Sequence, residues 1–291
     1  MPDNEMPEGF LDLVRLAMKD RPEKLKSTGE LWDKFLFIVF MGGKRSEAEI
    51  NLVLSILKPQ LGMDYVRKTS GEDWREAVEK ILDERMYRIR DKETLEMLRE
   101  LKKEMFRISA SIKGSARFFE KNGITPETLE KTLGTKEKTW EFIEGLVKDA
   151  DVPNIRYTKI IFWLHSVGFG YDFCPPSWQT KKFVNEDIGP YYQFYEDDAY
   201  FMKQAEGFAE GVKKKAKGAT ARDVSAAIYY YITLKSMLPP RSPQKKKFTP
   251  AKLLKFLKVK KLSLKTLAEK LAGAEEKEEL AEKLHEWAGE R

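Results

Sequence analysis

Lys159 is the residue in this chain best placed to do chemistry. It opens the apolar run Lys159-Ile160-Ile161-Phe162-Trp163-Leu164, inside the stretch VPNIRYTKIIFWLHSVGFGYDFCPPSWQTKKF from Val152 to Phe183. An amine buried among such side chains gives up its proton more readily, and a neutral amine is a nucleophile. Other common catalytic groups are scarce. There are two histidines, His165 and His285, far apart in sequence, and one cysteine, Cys174. That count disfavours a histidine metal cluster, a Ser-His-Asp triad, an internal disulfide and a cysteine zinc site. No Walker-type phosphate loop, Gly-rich strand-to-helix turn or serine elbow occurs. Lysines and carboxylates remain, and neither a cofactor nor a metal is expected. His165 sits in the apolar run and reads as a core histidine.

The 291 residues suffice for one large or two ordinary domains, with 42% hydrophobic and 34% charged residues. That is a globular composition. No run of about 18 apolar residues predicts a membrane span. The start, MPDNEMPEGF, is acidic and lacks a signal core, so the expected location is cytoplasmic. The net charge of +6 is uneven. Between Gly211 and Lys265, sixteen Lys and Arg face one acid, Asp223, a local +15 that leaves −9 for the rest. Such asymmetry marks either a polyanion-binding surface or a solvated lysine-rich face.

The elements that must position Lys159 read as helices almost throughout, predicting an all-α fold. ELWDKFLFIVFM (Glu30–Met41) is apolar and ends at Gly42-Gly43. Ser46 caps the next helix, with Glu47 and Glu49 in its first turn. Asp73–Ile89 is amphipathic. Lys92–Phe119 predicts one long helix or two, with Gly114 as a possible break. Thr125-Pro126-Glu127 and Lys136–Val147 open and form further helices. Asp149–Arg156 is a turn into Tyr157–Val167. Thr220 and Asp223 resemble a capping box before VSAAIYYYITLKSML. The expected organisation is a helical domain over 1–238, a basic Pro-rich linker over 239–248 and a small basic helical module over 249–291. No strand and no repeat is predicted.

The order of these parts is an acidic helix, Val152-Pro153, a tight turn, Thr158-Lys159, an apolar helix, Gly168 and a Pro175-Pro176 loop into another helix. It resembles the helix-hairpin-helix DNA glycosylase superfamily. The run Lys159-Ile-Ile-Phe-Trp is similar to the catalytic-lysine helix of archaeal 8-oxoguanine glycosylases, which are N-glycosylase/DNA lyases. The resemblance centres on Val152–Phe183 and extends loosely over Glu30–Leu238. It implies a hairpin that holds the DNA backbone, a lysine that attacks the sugar C1′, and an aspartate one helix later. Three positions differ. Asn154-Ile155-Arg156 replaces the hairpin's Gly-x-Gly, Thr158-Lys159 inverts the Lys-Thr order, and Trp178 stands at the aspartate's place.

On that resemblance Lys159 is the expected nucleophile, with Asp172 and Asp187 as substitute carboxylates. Asp172 is preferred because it directly precedes the Pro-Pro loop. Base flipping requires an aromatic pocket, for which Trp163, Cys174, Trp178 and Tyr191 are candidates. Expected phosphate contacts are Asn154 and Arg156 in the hairpin, Lys181 and Lys182 after the loop, Lys213, Lys214 and Lys215, and Lys245, Lys246 and Lys247 in the linker. The lysines of the tail suit a phosphate backbone held without sequence readout. The expected partner is DNA, with RNA an alternative, bound by a monomer that does not enter a membrane. Other functions fit the same residues. One is a non-catalytic nucleic-acid-binding protein on this fold, with Lys159 snorkelling and Asp172 capping a loop. The other is an N-glycosidase acting on a free nucleoside or nucleotide.

Overall fold

The computed structural model describes residues 6–7, 9–41, 45–149, 151–188 and 196–237. Among them the fold is all-α, with twelve α-helices and no strand. In chain order they are α1 (Phe10–Lys19), α2 (Thr28–Phe40), α3 (Glu47–Leu57), α4 (Met63–Lys68), α5 (Gly71–Arg88) and α6 (Lys92–Lys121). There follow α7 (Pro126–Thr132), α8 (Lys136–Lys148), α9 (Tyr157–Ser166), α10 (Trp178–Phe183), α11 (Asp198–Lys215) and α12 (Ala221–Met237). None is long and apolar enough to cross a membrane. The chain divides into a central unit, Glu23–Phe169, and a terminal unit, Met1–Pro22 with Gly170–Arg291. The expected linker 239–248 and module 249–291 lie outside the described residues, with Lys245, Lys246 and Lys247.

Local sequence explains most helix starts. Ser46 accepts from the Glu49 amide while the Glu49 carboxylate accepts from the Ser46 amide, a full capping box for α3. Thr125 and Thr128 make the same reciprocal pair ahead of Pro126 at the start of α7. Each such cap stabilises its helix by about 1 kcal/mol. α6 is one unbroken helix through Gly114. Leu98, Leu101, Met105, Ile108 and Ile112 recur on its buried face, which decides its continuity.

In the central unit the core gathers on aromatic rings. Phe35 of α2 meets Phe119 of α6 and Trp163 of α9 edge-on, each with ring centres 5.3 Å apart. Such pairs contribute about 1 kcal/mol each beyond the area they bury. In the terminal unit Phe10 of α1 stacks on Phe183 of α10 at 5.4 Å and meets Phe208 of α11 edge-on. The N-terminal helix is thereby built into the core of the C-terminal half. Arg21 adds a part-buried ion pair, donating from Nε to Asp223 Oδ1 at 3.0 Å and from Nη2 to Oδ2. Asp223 also accepts from the amide and hydroxyl of Thr220, both at 2.8 Å, so the expected capping pair at α12 forms. Burial raises the affinity of Asp223 for a proton. The bonds from Arg21 and Thr220 outweigh it and hold the carboxyl below its ordinary range.

Candidate functional site

The hairpin between α8 and α9 is shaped by its own residues and then docked on α6. Asp149 Oδ1 accepts from the Asp151 amide at 2.9 Å, and the Asp149 carbonyl accepts from the Val152 amide at 3.0 Å. Asn154 has φ 64°, the one positive φ at a non-glycine among the described residues. Asparagine tolerates this left-handed conformation far better than β-branched residues do, so it suits the turn. Val152 and Ile155 point into the core. The Pro153 carbonyl accepts a 2.6 Å hydrogen bond from Ser111 Oγ on α6. Gly114, one turn further along α6, lets the hairpin backbone come close. A Cβ there would fall 1.4 Å from the Asp151 carbonyl oxygen. The expected break is therefore a contact point. Trp140 and Tyr157 stack at 5.3 Å with planes 4° apart, clamping α8 to α9.

The start of α9 differs from those of most other helices. Its N-cap is Arg156, with no side-chain cap and no acid in the first turn. The leading amides have no intrahelical acceptor by geometry, and they carry the positive end of the helix dipole. α2, α3, α5, α6, α7 and α8 each pair a side-chain cap with an acid in the first turn. At α9 an arginine and a lysine stand where an acid would normally help. Arg156 and Asn154 are exposed on the hairpin surface.

Lys159 lies in the first turn of α9 and is half-buried. Its Nζ donates to the Val39 carbonyl at the end of α2, at 3.1 Å. Beside it Arg45 donates from Nη1 to the next carbonyl, Phe40, at 3.4 Å and from Nη2 to Glu104 Oε1 at 2.8 Å. Burial, then the charge of Arg107, lowers the Lys159 pKa to about 8; Glu104 opposes the fall and Arg45 adds to it. At pH 7 about one amine in ten is then neutral, against about one in 3,000 at the ordinary value. This arrangement can supply a nucleophilic amine near neutral pH. Arg45, Glu104 and Arg107 had no signal in the sequence: they lie on elements distant in the chain, at no telling spacing.

The other expected site residues fall in varied surroundings. Trp163 is fully buried and its indole N–H donates to the Leu31 carbonyl at 3.1 Å, so it is core packing and not a pocket wall. His165 is likewise buried. Asp172, Asp187, Cys174, Trp178, Lys181 and Lys182 belong to the terminal unit. Cys174 is fully buried, with Sγ 3.4 Å from the Ala221 carbonyl, a core residue too. Asp172 is exposed. Asp187 lies in a short π-helical turn, Val184–Ile188, and accepts from Lys235 at 2.8 Å and Tyr231 at 2.9 Å. Both donors engage its carboxyl in a structural cluster. Burial, then the Asp187 charge, pushes the Tyr231 hydroxyl well above its ordinary range.

Trp178 is 53% exposed, with the Lys182 ammonium 4.8 Å from its ring centre. Lys181 pairs with Asp198 at 2.7 Å, which engages its charge within the unit. Lys213 pairs with Glu210 at 2.7 Å, while Lys214 and Lys215 are exposed in the last turn of α11, where cations offset the helix dipole. Tyr191 lies outside the described residues.

Compared with known proteins, the chain matches no family model, no curated protein and no solved structure.

Proposed function

We propose that the protein is a DNA base-excision glycosylase with lyase capability, in which Lys159 is the nucleophile. The observation that carries this reading is the pairing of two features on one hairpin. Asn154 supplies the left-handed turn ahead of an uncapped helix start, and the first turn of that helix holds a lysine of lowered proton affinity. The first suits a phosphate, the second a sugar carbon. In the proposed step the Lys159 nitrogen lone pair forms a bond to the sugar C1′. The bond from C1′ to the base breaks, its electron pair leaves with the base, and the base accepts the proton that the amine gives up. The nitrogen lone pair then forms the C=N bond as the C1′–O4′ bond breaks, and O4′ takes a proton from solvent water, which leaves an open-chain iminium.

A second reading rests on the hydrogen bond from Lys159 to the Val39 carbonyl. In it the lysine caps α2, and the protein binds nucleic acid without chemistry. Incubation with oligonucleotides carrying single lesions, followed by borohydride reduction, separates the two. The glycosylase reading requires base release and a reduced adduct on Lys159. Salt-sensitive binding with neither product favours the second.

A further inference from the structure

We propose that Glu104, anchored by Arg45, is the positioning residue that balances charge around the Lys159 amine. The inference rests on the reading of Lys159 as nucleophile. Val39 and Phe40 present consecutive carbonyls at the end of α2. Lys159 binds the first and Arg45 the second, so the two cationic heads converge there. Arg45 is 7% exposed and holds Glu104 at 2.8 Å, which fixes the carboxylate beside the same helix end. Arg107, one turn beyond Glu104 on α6, brings the opposite charge.

The charged groups acting on Lys159 are thus Glu104 and Arg107 from α6 and Arg45 from the segment before α3. α2 contributes the Val39 carbonyl, and α8 meets α9 through the uncharged Trp140–Tyr157 stack. Three cations share one carboxylate. When the amine attacks and becomes an iminium, Glu104 is the group there that can offset the fixed positive charge. Its loss leaves Arg45 and Arg107 facing that cation unopposed.

The test uses the full chain and cyanate, a small reagent that carbamylates neutral amines, with Lys159 modification followed against pH by peptide mass spectrometry. Lys113, whose amine donates to the Val66 and Thr69 carbonyls, is the internal reference. The wild-type midpoint is expected near pH 8. Glu104→Gln lowers it by on the order of half a pH unit, Arg107→Gln raises it by as much, and Glu104→Asp lies close to wild type. With a lesion-bearing oligonucleotide, Glu104→Gln also slows borohydride trapping at pH 9, about tenfold, although more amine is neutral. A Glu104→Gln midpoint that stays put or rises, in a variant with wild-type melting, overturns the proposal. So does a trapping rate at pH 9 equal to wild type. Should Glu104→Gln fail to fold, Arg107→Gln and Glu104→Asp decide, and an unmoved midpoint in Arg107→Gln overturns it. If the wild-type chain traps no oligonucleotide, the base-excision reading fails, while the cyanate midpoints still decide whether Glu104 sets the charge at Lys159.

Discussion

The Lys159 amine donates to the Val39 carbonyl across 3.1 Å, joining the first turn of α9 to the last turn of α2. One hydrogen bond holds the lysine in a fixed place and closes an open carbonyl of α2. The same burial that makes the contact disfavours the charged amine, so position and reactivity have one cause.

That cause has a pH signature. The folded chain releases the Lys159 proton near pH 8, the unfolded chain near 10.5. Below pH 8 both states are protonated and the burial cost is fully present. Between those values the unfolded chain alone keeps the proton, so raising pH favours the folded state. Lys159→Met has no such group. Relative to Lys159→Met, the wild type is expected to gain on the order of 1 kcal/mol across this window, after allowance for solvent screening. Paired urea titrations at pH 7.5 and 10 measure it; a constant difference contradicts the account.

The hairpin depends on the absence of a side chain at Gly114. Gly114→Ala places a Cβ against the Asp151 carbonyl, and the cost is backbone displacement, expected to be about 3 kcal/mol. Asn154→Gly is expected to be nearly neutral and Asn154→Val to cost about 2 kcal/mol, because valine resists a positive φ. Chemical denaturation of the three variants ranks them. Gly114→Ala as stable as wild type removes the docking argument.

How far these features can be read in the sequence follows from their range. The caps at Ser46 and Thr125, the left-handed Asn154 and the Thr220–Asp223 pair are legible because each is settled within four residues. The role of Gly114 is not, since a glycine in a helix reads equally as a break or a close approach, and its partner Asp151 lies 37 positions away. Arg45 and Glu104 are two ordinary surface-type charges until folding brings α6 to the end of α2. Trp163 and Cys174 look like pocket residues by type, and only packing reveals them as core. α11 is hard to see because its buried face is built largely from Ala205 and Ala209, with Phe201 and Val212 at the ends.

The Arg21–Asp223 pair ties the residues after α1 to the start of α12, with Asp223 fully buried. Asp223→Asn removes the charge and leaves Arg21 with the Gly218 carbonyl but without its carboxylate. Arg21 is partly exposed, so the expected loss at pH 7 is about 2 kcal/mol after allowance for solvent screening. Because the folded carboxyl is held below its ordinary range, its contribution is present above the unfolded value and fades as pH falls through the folded one. The gap between variant and wild type therefore narrows in acid. Melting curves from pH 7 down to 3 follow it; a gap that widens in acid contradicts the assignment.

The central claim is that Lys159 is a nucleophile toward a damaged nucleotide. Its most direct test is borohydride trapping of the full chain on a panel of lesion-bearing duplexes, with the attachment site mapped by peptide mass spectrometry. The account predicts base release and a reduced adduct on Lys159, both lost in Lys159→Ala while salt-sensitive binding persists. Absence of base release and adduct across the panel, or an adduct that survives Lys159→Ala, contradicts it.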